Sequence, residues 1–204
     1  MTDAIDAIID DLRAEADQDR DPETAPDVGI VMGSDSDLDT MAGAYEALDE
    51  LEFTEQTDYD EEIEGYSYES YVVSAHRTPD LMYAYAETAE ARGLDVLIAG
   101  AGGKSADLPN MTASIAYPLP VIGVPVQEKS VSSVIGMPTG APIVAVDAGK
   151  SFNAALSAAQ ILARSDPALA DRLVAYHENL ETDVADVSRD LHELGIDGFR
   201  EKHG

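Results

Sequence analysis

Cysteine and tryptophan are both absent from this sequence of 204 residues. Without cysteine, the chain can form neither disulfide bonds nor thiolate nucleophiles, and zinc sites with cysteine ligands are excluded. Apolar runs are also too short to cross a bilayer, which takes about 18 to 20 residues. Residues 1–21 are acidic and lack the cationic start and apolar stretch of a secretory signal. We therefore expect a cytoplasmic protein.

Basic residues are scarce, since 12 lysines and arginines stand against 41 acidic residues and the net charge is −29. Such a surface repels nucleic acids and anionic membranes, so neither is an expected partner. The acidic residues concentrate in 1–26 and 55–69 and almost spare 97–164. This distribution favours a surface adapted to high salt, where charge repulsion is screened, over a protein that binds cations or bases.

Five short apolar runs predict buried strands, and the stretches between them have helical character. The predicted strands are 28–33, 71–74, 96–99, 121–124 and 143–146, and the predicted helices are 5–12, 37–51, 79–92, 111–116, 151–163 and 168–194. Strands that are apolar on both faces and alternate with helices indicate a parallel sheet covered on both sides. The sequence therefore predicts a three-layer, flavodoxin-like α/β fold with about five strands and a C-terminal helical tail.

The same pattern divides the chain into three parts. Residues 1–26 form an acidic N-terminal extension with a short helix, with 17–26 as a polar linker. Residues 27–164 form the central α/β domain. Residues 165–204 form the helical tail, which we expect to pack on neighbouring subunits.

Small and polar residues follow the first three predicted strands, at 33–37, 74–79 and 100–105. In a parallel sheet these turns share one edge, where ligands bind. The first turn leads into a helix, and its backbone N–H groups and the hydroxyls of Ser34 and Ser36 suit a phosphate, while Asp37 suits ribose hydroxyls. Ordinary capping of the helix by serine and aspartate explains the same residues equally well.

The second turn carries His76 and Arg77 side by side. An imidazole exchanges protons near neutral pH, and a guanidinium fits a phosphate or carboxylate. A lone histidine is often structural, but this position at a strand end favours a function. In the third turn, Gly100, Gly102 and Gly103 allow the backbone to approach a planar ligand. That turn is not a Walker A loop, because Ile98 stands where that motif needs glycine.

These segments together resemble the PurE family of N5-carboxyaminoimidazole ribonucleotide mutases. The matching segments are VGIVMGSDSD at 28–37, VVSAHRTP at 72–79, IAGAGG at 98–103, LP at 108–109, PVIGVPVQ at 120–127 and AAQIL at 158–162. The likeness covers about 27–163, and the order and spacing of the segments make it specific.

The resemblance implies an isomerase of purine biosynthesis without cofactor or metal, usually a homo-octamer. It would convert N5-carboxyaminoimidazole ribonucleotide to 4-carboxy-5-aminoimidazole ribonucleotide by releasing and recapturing CO₂, with His76 as general acid and base. An ATP-dependent synthetase that makes the carbamate is the implied functional partner. The implied substrate-binding residues are Ser34, Asp37 and Arg77, with Ser36 and Ser74 at the phosphate, and Gly33, Gly100, Ala101, Gly102, Gly103, Lys104, Asp107 and Leu108.

The sequence departs from the family pattern in three places. Asp107 stands where many members have a second histidine, residues 128–137 form a shorter segment, and 55–70 resembles an insertion that we expect to be a solvated loop. Two other hypotheses remain open. One is the sister enzyme that carboxylates the ribonucleotide directly with CO₂, whose animal-type members carry Lys-Gly in place of Arg77 and Thr78. The other is a nucleotide-binding module without catalysis.

Overall fold

The computed structural model describes residues 2–18, 24–59 and 63–203. Part of the predicted linker at 17–26 and part of the predicted insertion at 55–70 therefore lie outside the described residues. The described chain forms two compact units, one ending at Leu162 and the other beginning at Ala163. Within the described residues, no helix is both long enough and apolar enough to span a membrane.

The first unit is built on a parallel sheet of six strands in the order β2-β3-β1-β4-β5-β6. The strands are β1 (Val28–Met32), β2 (Thr54–Glu55), β3 (Ser67–Val72), β4 (Val96–Ala101), β5 (Val121–Pro125) and β6 (Val144–Ala145). Every residue of β1, β4 and β5 is buried, as expected for parallel strands covered on both faces. The predicted α/β flavodoxin-like fold is confirmed.

Two details of the sheet differ from the prediction. The edge strand β2 was not predicted, because its two residues are exposed and carry no apolar pattern. The segment 67–70 was expected to be a solvated loop, and this was wrong, because it forms the start of β3. Its acidic residue Glu69 is buried in an ion pair with Arg92. The positive charge of Arg92 compensates the carboxylate for the hydration that it loses.

Helices cover both faces of the sheet. They are α1 (Asp3–Ala16), α2 (Leu38–Glu50), α3 (Pro79–Thr88), α4 (Leu108–Ile115), α5 (Val131–Val134) and α6 (Ser151–Leu162). Helices α2 and α6 pack together, and α3 packs against both α1 and α4. The second unit holds α7 (Pro167–His203), whose helical geometry is interrupted at Gly195 (φ 65°).

Candidate active site

The carboxyl ends of β1, β3, β4 and β5 surround a pocket of about 330 Å³. Parallel strands place these ends at one edge of the sheet, as the sequence pattern predicts. Residues from the three predicted turns line the pocket, together with residues after β5. The lining consists of Gly33, Ser34, Ser36, Asp37, Ser74, Ala75, His76, Arg77, Ala101, Gly102, Gly103, Ser105, Asp107, Leu108, Gln127 and Lys129.

The turn after β1 is fixed to β4, because the Gly33 N–H donates to the Gly100 carbonyl at 3.0 Å. The Ser34 hydroxyl accepts from the backbone N–H of Ser36 at 3.4 Å and from the Ser36 hydroxyl at 3.2 Å. Ser34 thus caps the short 3₁₀ turn that precedes α2, as the capping interpretation predicts. The same geometry sets two hydroxyls and the start of a helix at the pocket wall, where an anion is favoured.

Asp37 lies under this turn, and only 7% of the residue is exposed. Burial raises the pKa of Asp37, while the backbone N–H groups of Ser34, Gly102 and Gly33 and the charge of Arg77 act in the opposite direction. Its carboxylate packs closely on the third turn, since a Cβ on Gly102 would lie 3.0 Å from Asp37 Oδ1. Glycine at position 102 is therefore explained by this carboxylate as well as by a ligand.

Arg77 connects the turn after β3 to the turn after β1. Its Nη2 donates to the Gly33 carbonyl at 2.9 Å, and its Nε donates to the Ser74 hydroxyl at 3.4 Å. The backbone N–H of Arg77 donates to the same hydroxyl at 3.2 Å. The guanidinium is thereby held beside Gly33, with its charge close to the start of the helix.

His76 projects into the same pocket and pairs with Asp107. The imidazole Nε2 lies 3.1 Å from Asp107 Oδ2, and the side chains are 61% and 36% exposed, respectively. The other carboxylate oxygen, Asp107 Oδ1, accepts from the Ser133 hydroxyl at 2.9 Å. The site therefore combines a proton-exchanging ring, a cation and a helix start within one cavity.

Two predicted site residues, Gly100 and Lys104, are not among the residues that line this pocket. Gly100 has a different packing role, because a Cβ at this position would overlap the Met41 sulfur. Gly103 has φ of +89°, a conformation that glycine adopts most easily, and its carbonyl accepts from the buried Ser130 hydroxyl at 2.8 Å. Gly100 is thus explained by packing against α2, and Gly103 by the backbone conformation of the turn.

Gln127 and Lys129 line the pocket but were not predicted as site residues. Both follow β5, and the rule that located the first three turns also applies to the end of this fourth strand. Lys129 adds a second cation to the pocket beside Arg77. Among the described residues, no group of three or more His, Asp or Glu side chains is arranged to hold a metal ion.

Comparison with known proteins agrees with this geometry. The family model described as AIR carboxylase matches residues 27–183. The chain belongs to this family. It is 45% identical to the N5-carboxyaminoimidazole ribonucleotide mutase of Synechocystis sp. over 86% of this chain and 94% of that protein. It is 47% identical to the mutase of Bacillus subtilis, over 81% of this chain and 98% of the other.

One relative carries the name of a carboxylase instead of a mutase. The phosphoribosylaminoimidazole carboxylase of Schizosaccharomyces pombe is 42% identical over 86% of this chain, which matches 30% of that longer protein. Among solved structures, the PurE of Treponema denticola superposes with a TM-score of 0.64 at 25% identity, over 84% of this chain and 99% of the other. The family's fold is therefore shared along most of this chain.

Proposed function

We propose that this protein is an isomerase of purine biosynthesis that converts N5-carboxyaminoimidazole ribonucleotide to 4-carboxy-5-aminoimidazole ribonucleotide. The observation that carries this proposal is the meeting of His76, Arg77 and the Gly33 turn in one pocket. Relatives named as mutases, at 40% identity or more over most of the chain, support the same reaction. The pocket supplies what the reaction needs: an anion-binding surface next to a group that moves protons.

The substrate carries a phosphate and a carbamate, and both are anionic. The start of the helix after β1, with the hydroxyls of Ser34 and Ser36, binds the phosphate together with Arg77 and Ser74. Asp37 accepts hydrogen bonds from the ribose hydroxyls. Lys129, which also lines the pocket, supplies a second cation for the carbamate. The chain as a whole has a net charge of −29 and repels anions, so these local cations supply the attraction for the anionic substrate.

His76 moves one proton in and one proton out during each turnover. In its protonated form it donates to N5 of the carbamate, the N5–C bond breaks, and CO₂ is released with the aminoimidazole ribonucleotide. Carbon C4 then attacks the CO₂ that is held beside it, and neutral His76 removes the proton from C4. The histidine ends protonated, as it began, and no net proton is gained or lost. Retaining the CO₂ in the pocket replaces a slow bimolecular capture.

The assay that tests the reaction gives the pure protein each of two substrates separately. We expect turnover of the carbamate, with slow use of the bare ribonucleotide plus bicarbonate. The second activity corresponds to the direct carboxylase, whose name one relative carries. Efficient use of CO₂ with no response to the carbamate would contradict the mutase assignment.

The role of His76 is tested by His76→Asn. General acid and base catalysis contributes about 10² to 10⁴ in rate, so we expect kcat to fall by at least about 100-fold while the far-UV circular dichroism spectrum stays unchanged. His177→Asn, at an exposed position of α7, is the matched control and should retain wild-type kcat. Turnover of His76→Asn within a few-fold of wild type would contradict the catalytic role.

We propose further that the protein is a cytoplasmic homo-octamer supplied by the synthetase that makes the carbamate. The family resemblance supports these three points. The division into an extension at 1–26, a catalytic domain at 27–164 and a tail at 165–204 that packs on neighbouring subunits is part of the same proposal. Analytical ultracentrifugation of the full chain tests the octamer, and a stable monomer would contradict it.

The charge of −29 supports the proposal that the protein is adapted to high salt. At about 1 M salt the Debye length falls to about 3 Å, so repulsion between surface carboxylates is largely screened. We therefore expect the thermal unfolding midpoint to rise steadily with KCl, from about 0.1 M to about 3 M. A midpoint independent of KCl would show that self-repulsion does not limit stability.

A further inference from the structure

Asp107 stands at the start of α4, directly before the first helical residue. It was expected to bind the substrate, but the structure engages both of its carboxylate oxygens with protein groups. Oδ2 lies 3.1 Å from His76 Nε2, and Oδ1 accepts the Ser133 hydroxyl at 2.9 Å. The carboxylate therefore bridges the turn after β3 and helix α5.

We propose that Asp107 is a positioning residue that holds the His76 imidazole through Nε2, and that Ser133 in turn holds Asp107. The proposal rests on the function proposed above, because it assigns a role in the proton transfers of that reaction. It differs from the expectation for Asp107 as a substrate ligand. Both of its oxygens are already engaged by His76 and Ser133, so neither is left free for a substrate group.

The position of Asp107 is set from two sides. Its backbone carbonyl accepts from the Met111 N–H at 3.0 Å and so belongs to the first turn of α4. Asn110, also in α4, donates to the Ser133 carbonyl at 2.9 Å and ties α4 to α5. Ser133 is thus fixed through its main chain while its hydroxyl holds the carboxylate. This arrangement leaves Asp107 Oδ2 directed at the imidazole.

The consequence for catalysis concerns which ring nitrogen works. With Nε2–H donated to Asp107, Nδ1 is the nitrogen that gives the proton to N5 and later takes the proton from C4. The Nε2 proton stays in place throughout, so the ring keeps one orientation during both transfers. Because both side chains are partly exposed, water competes for the contact between them, and we expect a moderate effect on kcat when Asp107 is changed.

The kinetic test compares Asp107→Asn, Ser133→Ala and their double variant with the wild type. We expect kcat of Asp107→Asn to fall about 10- to 100-fold, a part of the full contribution of an acid–base group, with KM within about threefold. Ser133→Ala should lower kcat less, and the double variant should be no slower than Asp107→Asn, since Ser133 acts through the carboxylate. Ser132→Ala, the exposed neighbour in α5, is the matched control.

Two kinetic outcomes would overturn the proposal. A raised KM with unchanged kcat in Asp107→Asn would make Asp107 a substrate ligand instead. Additive losses in the double variant would show that Ser133 acts independently of Asp107. In both cases turnover of the carbamate by the wild type would remain, so the proposed function would stand.

A second test needs no activity. In protein with ¹⁵N-labelled histidine at low temperature, the Nε2–H proton of His76 should exchange with solvent more slowly than in Asp107→Ala, and His76→Asn identifies its signal. Equal exchange rates in the two proteins would refute the pairing, provided that circular dichroism shows Asp107→Ala to be folded. Slow exchange in a wild type that leaves the carbamate untouched would keep the pairing and refute the function.

Discussion

The ion pair between Glu69 and Arg92 lies in the interior, where the two side chains are 1% and 2% exposed. Arg92 Nη1 donates to both carboxylate oxygens, at 2.7 and 2.8 Å, and Arg92 Nε donates to Thr88 Oγ1 at 3.2 Å. The Tyr59 hydroxyl donates to Glu69 as well. Burial lowers the pKa of Arg92, but Glu69 raises it above its ordinary value, so the guanidinium stays charged.

The change Glu69→Gln leaves this buried charge without its counterion. Unit charges about 3.5 Å apart attract by roughly 5 kcal/mol at an effective dielectric constant near 20. Removing one partner of a buried pair costs about 3 to 5 kcal/mol in proteins where it has been measured. We therefore expect the free energy of unfolding to fall by about 3 to 5 kcal/mol. Because water barely reaches the pair, salt should change this loss little.

The measurement is unfolding by urea at fixed KCl, followed by circular dichroism, since guanidinium chloride would itself screen charges. Asp186→Asn is the matched control, because Asp186 and Arg189 form an ion pair of 2.9 Å with side chains 61% and 64% exposed. That variant should lose less than about 1 kcal/mol. If Glu69→Gln lost no more than the control, the reasoning about the buried charge would be refuted.

Two further predictions concern residues beside the sheet. Burial raises the pKa of Asp27 to about 6, with Ser67 N–H opposing and Asp95 adding to the rise. The folded state therefore keeps a proton that the unfolded chain loses near pH 4, and stability falls as pH rises from about 4 to 6. Between pH 4.5 and 7.5 this fall amounts to about 2 kcal/mol, and Asp27→Asn should remove it from the stability measured by urea unfolding. An equal fall in the variant and the wild type would contradict this prediction. Gly100→Ala should lower the free energy of unfolding by about 1 to 3 kcal/mol, because the new Cβ would overlap the Met41 sulfur. An unchanged thermal unfolding midpoint would rule out this overlap.

The sequence predicts the central strands well, because a strand that is buried on both faces needs a continuous run of apolar residues. Strand β3 is the exception, since its first five residues contain three polar residues and two tyrosines and form no apolar run. Its buried glutamate is stabilised by Arg92, which lies 23 positions later, and no local pattern reveals such a partner. The two-residue strand β2 forms only because β3 offers it an edge, so its own residues predict nothing.

The candidate site is predictable to the same extent. The rule for strand ends identifies the turns that carry Gly33, His76 and Gly102, because those ends follow recognisable apolar runs. The partnership of Asp107 with Ser133 was not predicted, since it depends on how α5 packs beside α4. Lys129 was missed for another reason: its residue type and position at the end of β5 were visible, but the turn there holds few small residues.

The side-chain hydrogen bonds of Arg77 restrict which residues can replace it. Two separate N–H groups of its side chain already hold the loops after β3 and β1 together through Ser74 and Gly33. A lysine ends in a single ammonium and cannot span both acceptors while also facing an anion. An Arg77→Lys change would therefore either release one loop from the other or give up the contact with the anion.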